Sequence, residues 1–317
     1  MELKTRRILA LVGPTASGKT ALSLLLADSL GGEIVSADSR QIYKHLDIGT
    51  AKPTAADQAR IPHHFIDLLD PAAEYSAGQY GMDARRAIAE IGWKGRVAIV
   101  VGGSGLYVKA LIDGLGSVPA AKQEIRAELE DEYRRLGLPH LIKELRQVDA
   151  PTLDGMKQVN ARRVIRALEV YRTSGVPLSE FHAREDMITP PLDVFQAGLR
   201  RSKSDLHDRI NSRVDEMLRI GLIDETRRLL ANGYSRTLNS LNTVGYKEVC
   251  GFLDGKMTQV SMVEAIKRNT RRFSKRQMTW FRSDKRIQWF DLHPEESPEE
   301  IAHVIEGAFL NSTVEGT

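Results

Sequence analysis

A short stretch near the start of the chain has the residue types and spacing to hold a polyphosphate. Gly13-Pro14-Thr15-Ala16-Ser17-Gly18-Lys19-Thr20 satisfies the pattern G-x-x-x-x-G-K-[ST]. The main chain of Gly13, Thr15, Ala16, Ser17 and Gly18 supplies an anion cradle at a helix N-terminus, where the helix dipole adds positive potential. Lys19 brings a point charge to the terminal phosphate, and the Thr20 hydroxyl suits a Mg²⁺ ligand. The pattern does not distinguish a nucleotide from another diphosphate. Two more groups belong to the same chemistry, the carboxylate of Asp38 and the hydroxyl of Ser104. A carboxylate beside a phosphate cradle can hold Mg²⁺, serve as a general base, or simply cap the end of its strand.

These groups need a scaffold, and the first third of the chain reads as one. Ile8 to Val12 is a continuous apolar run, as expected of a strand buried on both faces. A helix over about Thr20–Ser29 follows, then a strand from Glu33 to Asp38, a helix from a capping box at Ser76 to about Ile91, a strand Val97–Val101, and a helix from about Leu106. This alternation predicts an α/β fold: a P-loop NTPase-like core with a parallel sheet flanked by helices. Asp38 and Ser104 then fall at carboxyl ends of strands and share a crevice with the phosphate loop. The third run ends in Gly102-Gly103-Ser104-Gly105 and lacks the aspartate that usually completes an NTPase Mg²⁺ site there.

Three segments are expected: residues 1–117 as the first part of the core, 118–191 as a helical insertion, and 192–317 as the rest of the core with C-terminal basic helices. The insertion is rich in Glu, Arg, Leu and Ala and is punctuated by Pro139, Pro151, Gly175, Pro190 and Pro191. Val194 to Leu199 can return to the sheet. Leu206, Ile210, Val214, Met217 and Leu218 have helical spacing, Gly233 reads as a helix stop, Ile287 to Phe290 as a last strand, and the tail after Asn311 as frayed.

Composition excludes some classes. The single cysteine, Cys250, rules out an intrachain disulfide and fits a reducing compartment. The N-terminus carries Lys4, Arg6 and Arg7, but the following apolar run is too short for a signal peptide, and no stretch has the length of a membrane span. The chain is read as cytoplasmic, with no membrane partner and with monomer as the default. His63-His64 reads as structural, because no further ligand set lies nearby.

The net charge of +3 is small, but its distribution is uneven. Between Lys267 and Arg286 there are nine Lys/Arg residues and one acid, Asp284. The stretch contains Arg268, Arg271, Arg272, Lys275 and Arg276, interleaved with Phe273, Trp280 and Phe281. Such a helix suits RNA phosphates, with the aromatics expected in the core. Arg162, Arg163 and Arg166 form a second basic cluster in the insertion, which also carries Arg126.

The motif set resembles the tRNA dimethylallyltransferase (tRNA isopentenyltransferase) family. The resemblance rests on the phosphate loop, Ser36-Ala37-Asp38-Ser39-Arg40-Gln41-Ile42-Tyr43, Asp47-Ile48-Gly49-Thr50-Ala51-Lys52-Pro53, and Gly102-Gly103-Ser104-Gly105-Leu106-Tyr107. It continues through Arg166-Ala167-Leu168-Glu169-Val170, Val244-Gly245-Tyr246-Lys247-Glu248 and Lys275-Arg276-Gln277-Met278-Thr279-Trp280-Phe281-Arg282. The resemblance implies that the loop holds the diphosphate of dimethylallyl diphosphate, with Mg²⁺ as cofactor. The acceptor it implies is N6 of the adenosine 3′-adjacent to the anticodon (tRNA position 37). It makes Asp38 the general base and Ser104 a hydroxyl near diphosphate and base, at a position often threonine in the family. Of Arg209 and Arg213, one helical turn apart, Arg213 is the better candidate for a second cation on the diphosphate; their alternative is a solvated face paired to Asp205, Asp208 and Glu216. For tRNA contacts the implied set is Asp38, Ser39, Arg40, Gln41, Ser104, Arg126, Arg162, Arg163, Arg166, Gly245, Lys247, Arg271, Arg272, Lys275 and Arg276. Ala161 follows Asn160 where the family commonly has aspartate.

Three other readings compete: an adenylate isopentenyltransferase acting on free AMP, ADP or ATP, a small-molecule P-loop kinase, and a non-catalytic RNA-binding module. The insertion and basic helix argue against the first, since a mononucleotide needs neither. The rest of the motif set argues against the second, and intact Lys19, Thr20 and Asp38 against the third.

Overall fold

The computed structural model describes residues 7–115, 118, 122–156, 158–185 and 191–312. Lys4, Arg6, Pro190 and the tail 313–317 lie outside the described residues. The chain forms two compact units. The first comprises Met1–Ser76, Asp83–Val108 and Leu192–Thr317, and the second Ala77–Met82 and Lys109–Pro191.

The first unit is built on a six-stranded sheet. Its strands are β1 (Ile8–Val12), β2 (Gly32–Ser36), β3 (His63–His64), β4 (Val97–Gly102), β5 (Val194–Arg201) and β6 (Ile287–Leu292). The spatial order is β3-β2-β4-β1-β5-β6 and every pairing is parallel. β1 lies at the centre and all five of its residues are buried, which explains its unbroken apolar sequence. Leu9, Leu11, Leu22, Leu26, Ile99, Leu199 and Ile305 form one packed cluster between the sheet and the helices Lys19–Leu30 and Pro298–Asn311. A second cluster joins Tyr43, Leu46, Val214, Leu222, Tyr246 and Ile266. It packs the loop after β2 against the helices Lys203–Arg219, Leu222–Ala231, Tyr246–Leu253 and Gln259–Phe281.

The edge strand β3 has no sequence signature of its own. Two residues pair with β2, and His64 Nε2 meets the buried Glu33 at 2.8 Å while His63 Nδ1 meets Ile61 O at 2.7 Å. This is the structural use anticipated for the histidine pair.

The second unit is helical among its described residues: Gln123–Leu136, Leu138–Val148, Ala150–Asp154, Ala161–Ser174 and Leu178–Glu185. Leu129, Leu141, Leu145, Val164 and Leu168 are fully buried in its core. Arg172 ties three of its helices together, donating to Glu132 at 2.7 and 2.9 Å and to Glu144 at 2.9 and 2.6 Å. Asn160 caps the helix Ala161–Ser174 by accepting from Arg163 N–H at 3.1 Å.

Candidate active site

Four neighbouring strands end at one edge of the sheet, and each delivers a functional group. The phosphate loop follows β1, Asp38 follows β2, Ser104 follows β4, and Arg201 is the last residue of β5. The loop enters its helix through Gly18, whose φ of 104° lies in the left-handed region that glycine tolerates best. Ala16 is also left-handed, with φ 63°, an expensive conformation for alanine that marks a functional turn.

Cations hold the carbonyl oxygens of this loop. Lys19 Nζ donates to Gly13 O at 3.0 Å and Pro14 O at 2.7 Å. Arg209 Nε donates to Ala16 O at 3.1 Å and Arg201 Nε to Ser17 O at 2.9 Å. In a trans peptide the C=O and N–H point in opposite directions. Fixing the Ala16 and Ser17 carbonyls therefore turns the Ser17 and Gly18 N–H groups away from the two guanidinium groups. The Ser17 N–H makes a long bond to Pro14 O at 3.4 Å, and the Gly18 N–H is left to face an anion. Arg213 Nη1 reaches Thr15 Oγ1 at 3.5 Å. The Ser17 hydroxyl is buried and has no hydrogen-bond partner among the described residues, which suits it to bond a ligand oxygen or water.

Burial and the nearby Arg213 push the Lys19 ammonium down to about 7, with Asp38 pulling the other way. Burial also lowers Arg213, again opposed by Asp38. The three charges thus act on one another. A polyanion entering this site would relieve the crowding of cations, because it favours their charged forms.

Asp38 Oδ1 accepts the Arg40 N–H at 2.9 Å, while Oδ2 makes no hydrogen bond within the described residues. Ser104 Oγ accepts from Ser39 N–H at 3.0 Å and lies 3.3 Å from Ser39 Oγ. The turn after β4 is thereby fastened to the residue following Asp38. The Thr20 hydroxyl is exposed and has no protein partner among the described residues, which fits a metal ligand. A further convergence of Glu132, His140 and Glu144 is no comparable candidate, because Arg172 already occupies both carboxylates.

Other sequence candidates take more structural places. Gln41 donates to Thr50 O and Ala51 O at 3.2 and 3.1 Å, and Arg40 reaches Asn239 at 3.4 Å. Gly245 is buried and gives its N–H to Glu248 at 2.8 Å, whereas Lys247 is exposed. In the second unit Arg126 pairs with Glu130 at 3.1 Å and Arg166 with Glu169 at 3.4 Å, while Arg162 and Arg163 are exposed with no acidic partner among the described residues. On the helix Gln259–Phe281, Arg268, Arg272, Lys275 and Arg276 are exposed, and Arg271 donates to Asn211 at 2.7 Å. Of the aromatics expected in the core only Phe281 is buried. Phe273 and Trp280 are 39% and 41% exposed, on the same face as Arg276, whose guanidinium lies 5.7 Å from the Phe273 ring. Of the three alternative partners of Arg209 and Arg213, Asp205 pairs with Arg201 and Glu216 with Arg219, and Asp208 forms no ion pair with either arginine among the described residues.

Sequence reasoning missed three contributors. Arg201 carried no role, although two arginines directly after an apolar run are a visible signal. Gln277 stood inside a motif with no role attached. Glu225, buried, accepts from the N–H groups of Asp47, Ile48 and Gly49 at 3.1, 2.8 and 3.2 Å and from Tyr246 OH at 2.5 Å; no local pattern announces it.

Fold and site together define a P-loop α/β enzyme with the Asp38 carboxylate within electrostatic reach of the loop's Lys19. The chain belongs to the IPP transferase family, whose model matches residues 41–284, and an isopentenyl transferase model matches residues 6–68. It is 44% identical to tRNA dimethylallyltransferase 1 of Citrifermentans bemidjiense, over 96% of this chain and 97% of that protein. It is 43% identical to the tRNA dimethylallyltransferase of Geobacter sulfurreducens, over 90% and 92% of the respective chains. Among solved structures it is similar to the full-length tRNA isopentenylpyrophosphate transferase of Bacillus halodurans, with a TM-score of 0.69 and 39% identity over 96% of this chain and 97% of that one. A eukaryotic dimethylallyltransferase acting on tRNA gives a TM-score of 0.73 at 27% identity, over 90% of this chain and 73% of that one.

Proposed function

We propose that this chain transfers a dimethylallyl group from dimethylallyl diphosphate to N6 of the adenosine 3′-adjacent to the anticodon (position 37) in tRNA. The products are N6-(dimethylallyl)adenosine and diphosphate. The observation that carries this reading is the Asp38 carboxylate, held through Oδ1 by the Arg40 N–H and with Oδ2 open, beside a phosphate loop whose carbonyls are held by cations. The adenine amine is a poor nucleophile because its lone pair is conjugated with the ring. It attacks the donor's first carbon, the bond from that carbon to the diphosphate oxygen breaks, and Asp38 Oδ2 takes the N6 proton. Lys19, Arg213 and the loop amides receive the charge that develops on the leaving diphosphate.

Mg²⁺ at the Thr20 hydroxyl would add further neutralisation of that charge when bound. The exposed cations of the helix Gln259–Phe281, with Lys247 on the same unit, suit the phosphates of an anticodon stem-loop. Arg162 and Arg163 offer the same chemistry on the second unit. The target base must leave its stack to reach a carboxylate at a strand end. In this reading the enzyme acts as a cytoplasmic monomer; no described helix is long and apolar enough to cross a membrane.

The test is to incubate unmodified tRNA with protein, Mg²⁺ and dimethylallyl diphosphate, then digest it with a base-specific nuclease and weigh the fragments. A prenyl mass confined to the fragment holding the adenosine next to the anticodon is the expected result. A mass elsewhere, or none, contradicts the assignment.

A further inference from the structure

Gln277 lies in the helix Gln259–Phe281 and is buried, facing inward while its neighbours Lys275 and Arg276 face solvent. Both ends of its amide are used. Oε1 accepts the Thr15 N–H at 2.9 Å, and Nε2 donates to Gly103 O at 2.9 Å. The amide orientation follows from its partners, because an N–H needs an oxygen and a carbonyl needs a donor. A Cβ on Gly103 would lie only 2.3 Å from Nε2, so this turn admits the amide only because it is glycine.

The two main-chain segments held by Gln277 belong to opposite halves of the reaction. Thr15 is part of the phosphate loop, but its N–H is taken by Gln277 and so, contrary to the expectation from sequence, is not one of the amides open to a diphosphate. Gly103 precedes Ser104, whose hydroxyl holds Ser39 beside the carboxylate of Asp38. One side chain therefore spans donor loop and base, through the path Thr15, Gln277, Gly103, Ser104, Ser39.

We propose that Gln277 is a positioning residue that sets the distance between the diphosphate loop and the Asp38 carboxylate without touching either substrate. The proposal rests on the prenyl-transfer reading. Displacement at carbon needs the nucleophile and leaving group aligned at close range, and a shift of about 1 Å costs on the order of 10²-fold in rate. Each substrate still finds its own half of the site when the clamp is cut, so the loss falls on turnover.

The test compares the full-length enzyme with Gln277→Met, which keeps length and removes both bonds, and Gln277→Glu. In the Met variant kcat is expected to fall by about 10²-fold, with KM for dimethylallyl diphosphate and for tRNA unchanged and the melting temperature somewhat lowered, because the buried Gly103 O loses its donor. The Thr15 amide should exchange with deuterium faster than in the parent. In the Gln277→Glu variant the ionised carboxylate would still accept from Thr15 but present a second acceptor to Gly103 O; protonated, it regains a donor. Turnover of Gln277→Glu relative to the parent is therefore expected to rise as pH falls. Parental kcat in the Met variant overturns the proposal. So does a loss carried by KM of either substrate, or no recovery of the Glu variant at low pH. A parent that protects the Thr15 amide yet makes no prenylated product overturns the prenyl-transfer reading and leaves the clamp itself standing.

Discussion

In the proposed mechanism Asp38 is the base and Lys19 stabilises the leaving diphosphate, and each role predicts a distinct defect. Asp38→Asn keeps an acceptor oxygen for Arg40 N–H but has no site for the N6 proton. Transfer should fall by about 10²–10⁴-fold with tRNA and donor affinities retained; near-parental turnover would remove Asp38 from the mechanism. Lys19 is held below its ordinary value by burial and by Arg213. The ligand-free fold therefore carries an unfavourable charge below about 7, and the cost fades as pH rises toward the ordinary lysine value of 10.5. Lys19→Met should accordingly raise the melting temperature of ligand-free protein at pH 6, by a margin that shrinks at pH 9, while abolishing diphosphate binding. A margin that grows with pH would contradict this sign. Both residues were legible in the sequence, because a loop pattern after an apolar run and an acid at a strand end are local signals. Their partners were not: Arg201 meets the loop across 184 positions of sequence and Gln277 across 262.

The strands β1 and β4 were readable because a strand buried on both faces must be continuously apolar, and Ile8–Val12 and Val97–Val101 are. The two-residue β3 was not, since His63 and His64 are held by pairing and by Glu33 and have no hydrophobic pattern. On the helix Gln259–Phe281 the basic composition was visible and Phe281 is buried as expected, but Phe273 and Trp280 are not. Ser274, Gln277 and Phe281 recur at i, i+3 and i+7 and face inward, which leaves Phe273, Arg276 and Trp280 on the outer stripe. Changing Arg272, Lys275 and Arg276 together to glutamine should weaken tRNA binding and reduce the salt slope of log affinity by roughly 2, with the melting temperature unchanged. An unaltered slope would mean that this face does not meet RNA. At the end of β5, Arg201→Gln should weaken binding of inorganic pyrophosphate by roughly tenfold or more, measured by calorimetry. Parental affinity would show that the Ser17 carbonyl needs no cation.

At the scale of the molecule, a net charge of +3 conceals cations gathered on one helix and around one loop. Composition alone therefore could not announce an RNA enzyme, whereas motif order could. The helical second unit and the exposed basic helix have no use for a free mononucleotide, and this separates the tRNA reading from adenylate prenylation. The most direct test supplies the purified protein with Mg²⁺ and dimethylallyl diphosphate, and offers unmodified tRNA or AMP as acceptor in parallel, with nucleoside mass spectrometry of each reaction. N6-(dimethylallyl)adenosine from the tRNA and none from AMP is the predicted result. Prenylated AMP with unmodified tRNA would contradict it.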